Sequence, residues 1–297
     1  MKKLILIFSL FATTVFAQER VPSIWAFNIS NTQGSYYRAT LLEANRIQNK
    51  YEFIVEHKPG AGGEVAAGYA LDKKGVVLLG TAAAFFVRPY LYDSNYNFDQ
   101  FKPIHVMAQS PAALVSKDKS LQEILAKDKI TIGTAGPGSM IELMALKFKQ
   151  YFPNKEVILV PYKSSPEATI DLLGGHIDLT YEYLGDGESR GGRILGLTGK
   201  AKIKNYPLLK DMGYPNQADL GGTYLILVKN DMPIDQYREI QKILLEAEKS
   251  PKVQELYLSD YSSKPSKLQT YGDYMVWYDK TIKYFKELTA GQPKFSR

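Results

Sequence analysis

Two strand–glycine–helix corners constrain this chain more than anything else in it. Residues 51–55 have the apolar content of a strand, and Val55-Glu56-His57-Lys58-Pro59-Gly60-Ala61-Gly62-Gly63 forms a glycine-rich corner. A small-residue helical segment, 64–71, follows. About 75 residues later the pattern returns, with a strand-like run leading into Gly133-Thr134-Ala135-Gly136-Pro137-Gly138-Ser139 and a helical segment to 151. A strand that turns on glycine into a helix is a βα unit, and βα units build mostly parallel sheets with helices on their faces.

The rest of the chain keeps that alternation. Strands are expected at 24–28, 52–56, 76–80, 103–108, 112–116, 129–133, 157–160, 178–183, 193–198 and 224–228. Helices are expected at 36–48, 63–71, 121–126, 139–151 and 166–173, and in the last third at 234–249, 251–257 and 271–288. There apolar residues recur every three to four positions. Ser139 with Glu142 three residues on reads as a capping box. Ser165-Pro166 opens a helix that Gly174-Gly175 closes. No long linker divides the chain, so two domains would be joined by strand-like crossings, with 112–116 and 224–228 the candidates.

The first 17 residues read as a secretory signal peptide. Lys2 and Lys3 precede an apolar stretch at 4–11, and Val15-Phe16-Ala17 presents small residues for cleavage before Gln18. The apolar stretch is too short to span a bilayer. An exported protein is expected. The chain has no cysteine, which excludes disulfides and thiolate metal sites. Net charge is +6, or +4 without Lys2 and Lys3, and no block of five like charges suggests a nucleic-acid surface.

Three strand ends could receive a small anion. At Gly136-Pro137-Gly138-Ser139 the amides of Gly138, Ser139 and Met140 can point at a carboxylate, with the helix dipole adding to the attraction. A plain βα turn that needs glycine is the other reading. The turn at 28–35 brings Gln33, Gly34 and Ser35 to a helix start, with Arg38 one turn in; arginine suits bidentate carboxylate recognition, though most such arginines are merely solvated. Thr81, Ala82 and Ala83 form a third strand end, small enough either to admit a ligand or to pack strand on helix. Enzyme templates fit poorly. His57, His105 and His176 form no metal pattern, and Gly138-Ser139-Met140 lacks a nucleophile elbow. No metal or cofactor is implied.

At these residues the chain resembles the periplasmic receptors of tripartite tricarboxylate transporters, also called Bug-type solute-binding proteins. The 55–63 run is similar to the family's V-E-N-[KR]-P-G-A-G-G, and 132–139 to its second glycine turn. Val160-Pro161-Tyr162-Lys163 with Pro166, and Asp171-Leu172-Leu173-Gly174-Gly175-His176-Ile177-Asp178, follow in family order, as does 192–198. The resemblance implies an α/β, type II periplasmic binding protein fold, two lobes joined by crossing strands around a ligand cleft. Lobe one is expected at 18–113 plus 226–297 and lobe two at 114–225. It implies a non-enzymatic receptor, a monomer, that binds a di- or tricarboxylate or aromatic acid and delivers it to membrane transporter subunits. A sensor component feeding a membrane kinase is the alternative, and a periplasmic hydrolase using Ser139 a remote one.

Three departures from the family stand out. Arg38 occupies a position where the family often has an Asp that reads an amino group, which argues against an amino-acid ligand. Tyr181-Glu182-Tyr183 replaces the family's F-D-[NS]; Tyr181 and Glu182 are placed at the ligand, and Glu182 would repel a carboxylate unless paired with Arg38 or a ligand donor. The stretch 184–192 lacks the family's long helix.

Overall fold

The computed structural model describes residues 21–28, 33–58, 60, 63–75, 77–82, 84–199, 203–214, 221–259, 261, 268, 270–292 and 294–295. The signal-peptide segment, Ala83 and most of the turn after the first strand lie outside them.

Among the described residues, ten strands form two five-stranded sheets of the same plan. The first contains β1 (Ser23–Asn28), β2 (Glu52–His57), β3 (Val77–Ala82), β4 (Phe101–Ser110) and β10 (Gly222–Lys229), in the order β2-β1-β3-β10-β4. The second contains β5 (Ala112–Ser116), β6 (Lys129–Thr134), β7 (Glu156–Pro161), β8 (Leu179–Tyr183) and β9 (Arg193–Leu197), in the order β7-β6-β8-β5-β9. In each sheet the strand that stands fourth in the row runs antiparallel to both its neighbours: β10 to β3 and β4, β5 to β8 and β9. The other recorded pairs, β1 with β2 and β3 and β6 with β7 and β8, are parallel.

Every strand expected from the sequence forms, within a few residues. The expected crossings differ. β5 pairs wholly within the second sheet and β10 wholly within the first, so neither strand spans the two. The chain passes from first to second sheet at Pro111, between β4 and β5. Proline suits such a point because it needs no ladder partner for a backbone N–H.

The helices are α1 (Gln33–Ile47), α2 (Glu64–Asp72), α3 (Ala84–Leu91), α4 (Leu121–Leu125), α5 (Met140–Tyr151), α6 (Ser165–Gly174), α7 (Leu184–Arg190), α8 (Ile234–Ala247), α9 (Pro251–Ser259) and α10 (Tyr271–Thr289). On one face of the first sheet, Tyr37 and Leu41 of α1, Tyr237, Ile240 and Leu244 of α8 and Val253 of α9 cover Ile24, Leu78 and Ile226. On the other face, Phe85 and Phe86 of α3 and Tyr278 and Phe285 of α10 pack with Phe27, Leu79 and Leu227. This second cluster runs on into the other sheet, through Ile130, Ile132, Leu143, Phe148 and Tyr181. Strands covered on both faces are buried without alternation, and β4 and β5 are buried in this way along almost their whole length.

Helix ends follow the sequence signals. Ser139 caps α5, accepting from the Glu142 amide at 3.0 Å. Pro166 lies in the first turn of α6, and Gly175 ends it in the left-handed conformation at φ 81°. Two helices go beyond the sequence expectations. The stretch 184–192 forms the seven-residue α7, closed by Gly191 at φ 84°. α3 carries Pro89 inside it. Proline supplies no N–H for the carbonyl four residues back, Phe85, and the buried Tyr96 hydroxyl donates to that oxygen at 2.8 Å instead.

Candidate functional site at the facing strand ends

In open α/β sheets, ligands lie outside the carboxyl ends of the parallel strands. Here those ends face each other. α3, which follows β3, touches the turn after β6: Arg88 Nη1 donates to the Pro137 carbonyl at 3.4 Å. Tyr183, the last residue of β8, lays its ring edge-on to Tyr224 of β10 with centroids 5.9 Å apart. A Cβ at Gly222 would sit 2.8 Å from the Tyr183 ring, so glycine is needed where the two lobes touch.

The sequence-derived site residues fall into different places. Gln33, Gly34 and Ser35 form the first turn of α1. Arg38 is exposed on α1 and has no ion pair among the described residues. Thr81 and Ala82 end β3, opposite Leu225 and Tyr224 of β10, and Ala83 lies outside the described residues. These belong to the first lobe's rim.

The turn after β6 brings Gly136, Gly138 and Ser139 together, with φ of 88° at Gly136 and 78° at Gly138. Both values demand glycine. Its amides are not all available. The Gly138 N–H donates to Glu142 Oε2 at 2.7 Å, and the Ser139 N–H to the Gly136 carbonyl at 3.2 Å. The capping box is therefore displaced: the Glu142 carboxylate reaches Gly138 rather than the Ser139 amide. Burial pushes the Glu142 carboxyl above its ordinary range, against the hydrogen bonds from Gly138 and Tyr92. The amides of Ala135 and Gly136 have no acceptor among the described residues.

Tyr181 and Glu182 point into the second lobe, one to each face of β8. Tyr181 packs in the main apolar cluster beside Tyr214, with which its hydroxyl interacts. Glu182 pairs with Arg190 Nη1 at 2.6 Å and hydrogen-bonds the Thr169 hydroxyl. The sequence suggests Arg38 as a partner for Glu182; α7, which the sequence does not announce, delivers Arg190 instead. Burial still pushes the Glu182 carboxyl up, Thr169 and Arg190 notwithstanding. The half-buried residue at the end of β8 is Tyr183. Its position as the last strand residue is the signal that could have selected it.

Among the described residues, the candidate catalytic groups are engaged elsewhere or stand apart. Ser139 Oγ serves as a helix cap. His105 is buried in β4 beside Glu248, at 3.3 Å, and His176 lies exposed after α6. No cluster of three potential metal ligands occurs among the described residues.

Residues 42–220 match the family of tripartite tricarboxylate transporter receptors. The chain belongs to that family. Among its curated relatives are a protein encoded in the TAR-I ttuE-ttuC' intergenic region of Agrobacterium vitis, 25% identical over 227 residues, and BugT of Bordetella pertussis, 26% identical over 184. The matches cover 70% and 54% of this chain, but only 65% and 56% of those relatives, less than two thirds of their length. Among solved structures, the periplasmic binding protein BugD superposes with a TM-score of 0.79 at 18% identity, covering 92% of this chain and 99% of BugD. MatC from Rhodopseudomonas palustris, solved with bound malate, gives 0.78 at 13% identity, covering 90% and 98%. An R. palustris protein solved with adipate gives 0.77 at 19%, covering 92% and 99%. The fold is thus the two-lobed architecture of those periplasmic binding proteins, and the family is one of receptors. No helix among the described residues is long and apolar enough to cross a membrane.

Proposed function

We propose that this receptor captures a small organic carboxylate between its lobes and delivers it to a tripartite tricarboxylate-type transporter. The observation that carries the reading is the pair of facing strand ends, with the Ala135 and Gly136 amides unclaimed on one side among the described residues. Backbone amides in a water-poor gap bind a carboxylate more strongly than they do in bulk water. Relatives solved with malate and adipate support the ligand class. On this reading Gln33, Gly34, Ser35, Thr81, Ala82 and Ala83 serve one side, and Gly136 with its neighbours the other. Gly138, Ser139, Tyr181 and Glu182 shape that side from behind, since their polar groups already have partners. The lobe boundaries expected at 113/114 and 225/226 we place at Pro111 and ahead of Gly222, following the sheets. Export with cleavage after Ala17, and action as a monomer, belong to the same proposal.

Calorimetric titration of the mature chain with malate, adipate, a tricarboxylate and an aromatic acid tests it. Saturable one-to-one binding of at least one is expected. Binding of none, with a neutral solute bound instead, would overturn the reading. Uptake of the labelled ligand by a deletion strain then tests delivery: normal uptake would contradict the transporter role.

A further inference from the structure

The lobes meet through a buried polar seam. Arg88 of α3 is 3% exposed, Tyr92 6%, Glu64 of α2 8% and Glu142 of α5 9%. Glu64 Oε2 holds the Arg88 guanidinium at 2.9 Å from Nε and 2.8 Å from Nη2, while its Oε1 accepts from the Asn95 amide at 2.7 Å. Arg88 is thereby fixed to the first lobe. Its remaining nitrogen, Nη1, reaches Pro137 O in the second lobe's turn. Gly138 lies against the Arg88 stem so closely that a Cβ there would be 3.1 Å from Arg88 Cβ and Cγ. Tyr92 follows Arg88 by one helical turn and so shares its face. Its hydroxyl donates to Glu142 Oε1 at 2.7 Å, and Glu142 Oε2 accepts from Gly138. The chain of contacts therefore closes from α3 through the turn to α5 and back.

We propose that Arg88 and Tyr92 are positioning residues for ligand binding, and that Glu142 is a permanent internal carboxylate for the turn they hold. The inference rests on the carboxylate-receptor reading. Glu142 occupies the Gly138 donor that a ligand would otherwise take, so the turn presents only its leading edge, Ala135 and Gly136. Arg88 and Tyr92 set where that edge stands relative to the first lobe. These groups are satisfied while the lobes abut; separating the lobes breaks the bonds across the seam. The seam thus holds the lobes aligned before the ligand arrives, and a ligand gains affinity when it need not supply that alignment itself.

Tyr92→Phe removes one seam hydrogen bond without changing shape, and Arg88→Lys keeps a charge for Glu64 but loses the guanidinium fork. Three quantities are read for each: radius of gyration of the ligand-free protein by small-angle X-ray scattering, affinity for malate and adipate by calorimetry, and thermal unfolding midpoint. Tyr92→Phe is expected to increase the radius of gyration of the free protein, to weaken the tighter ligand about tenfold, and to return to the wild-type radius at saturating ligand. Arg88→Lys is expected to do the same to a greater extent. A lowered midpoint with unchanged radius and unchanged or tighter affinity in Tyr92→Phe would overturn the proposal, because a role in stability alone moves only the midpoint. If the wild type binds none of the carboxylates, the parent reading fails, and the radii of the free proteins still decide the seam.

Discussion

Asp178 and Glu142 are both carboxylates in the second lobe, yet their surroundings give them opposite pH behaviour. Burial pushes Asp178 up, but Lys127 and the Thr131 amide and hydroxyl together hold it below its ordinary value. A group whose folded pKa is depressed contributes stability above its unfolded value and loses that contribution as pH falls through the folded one. Asp178→Asn is therefore expected to cost about 1–3 kcal/mol near neutral pH, a gap that closes below about pH 4 in denaturant unfolding. Glu142 is raised by burial, so its contribution is fullest below the unfolded value and declines as pH rises through the folded one. Raising pH from about 4 to about 7 should shift the balance toward Glu142→Gln relative to wild type, in the same measurement. Arg38→Ala is expected to weaken carboxylate affinity at least about fivefold; unchanged affinity in calorimetry would remove Arg38 from the site. At this scale the sequence is partly legible. Ser139 and Glu142 are found by their spacing, because a cap is a local device. The partner of Glu182 is not, because Arg190 reaches it only once 184–190 coils into α7.

The strands are legible as elements because each is a short apolar run between turn residues, and the long helices because their buried residues recur at three to four, as Tyr237, Ile240, Gln241, Leu244 and Ala247 do in α8. α3 is not legible. Phe85-Phe86-Val87-Arg88 is buried throughout and so shows no polar face, and Pro89 argues locally against a helix. Tertiary structure overrides that argument through Tyr96, whose hydroxyl replaces the missing N–H at Phe85 O. Tyr96→Phe should leave that buried carbonyl unpaired and cost about 1–3 kcal/mol. In a Pro89→Ala background the cost should shrink, because an alanine in place of the proline can supply the helical hydrogen bond. Urea unfolding of the two single variants and the double variant measures the coupling; additive effects would contradict this account of α3.

For the molecule as a whole, the two-lobed class follows from repeated βα units and from motifs kept in family order. What joins the lobes does not. Glu64, Arg88, Tyr92 and Glu142 are spread over α2, α5 and the stretch from α3 to the residue after it, and no spacing announces that they meet. The two glycine corners are linked through them, since Glu64 follows the first corner and Pro137 lies in the second. A cavity of about 220 Å³ lies away from the facing strand ends, at the opposite end of the first sheet beside Gly75, Val77, Lys229 and Asp231. The facing ends and that cavity therefore offer distinct outcomes for a crystal structure of the receptor with its best-binding carboxylate. The expected result is one ligand between the lobes, with a carboxylate within hydrogen-bonding distance of the Ala135 or Gly136 amide and its far end toward the carboxyl ends of β1 and β3. A ligand seated in the cavity by Lys229, or a gap filled by the protein's own side chains, would contradict it.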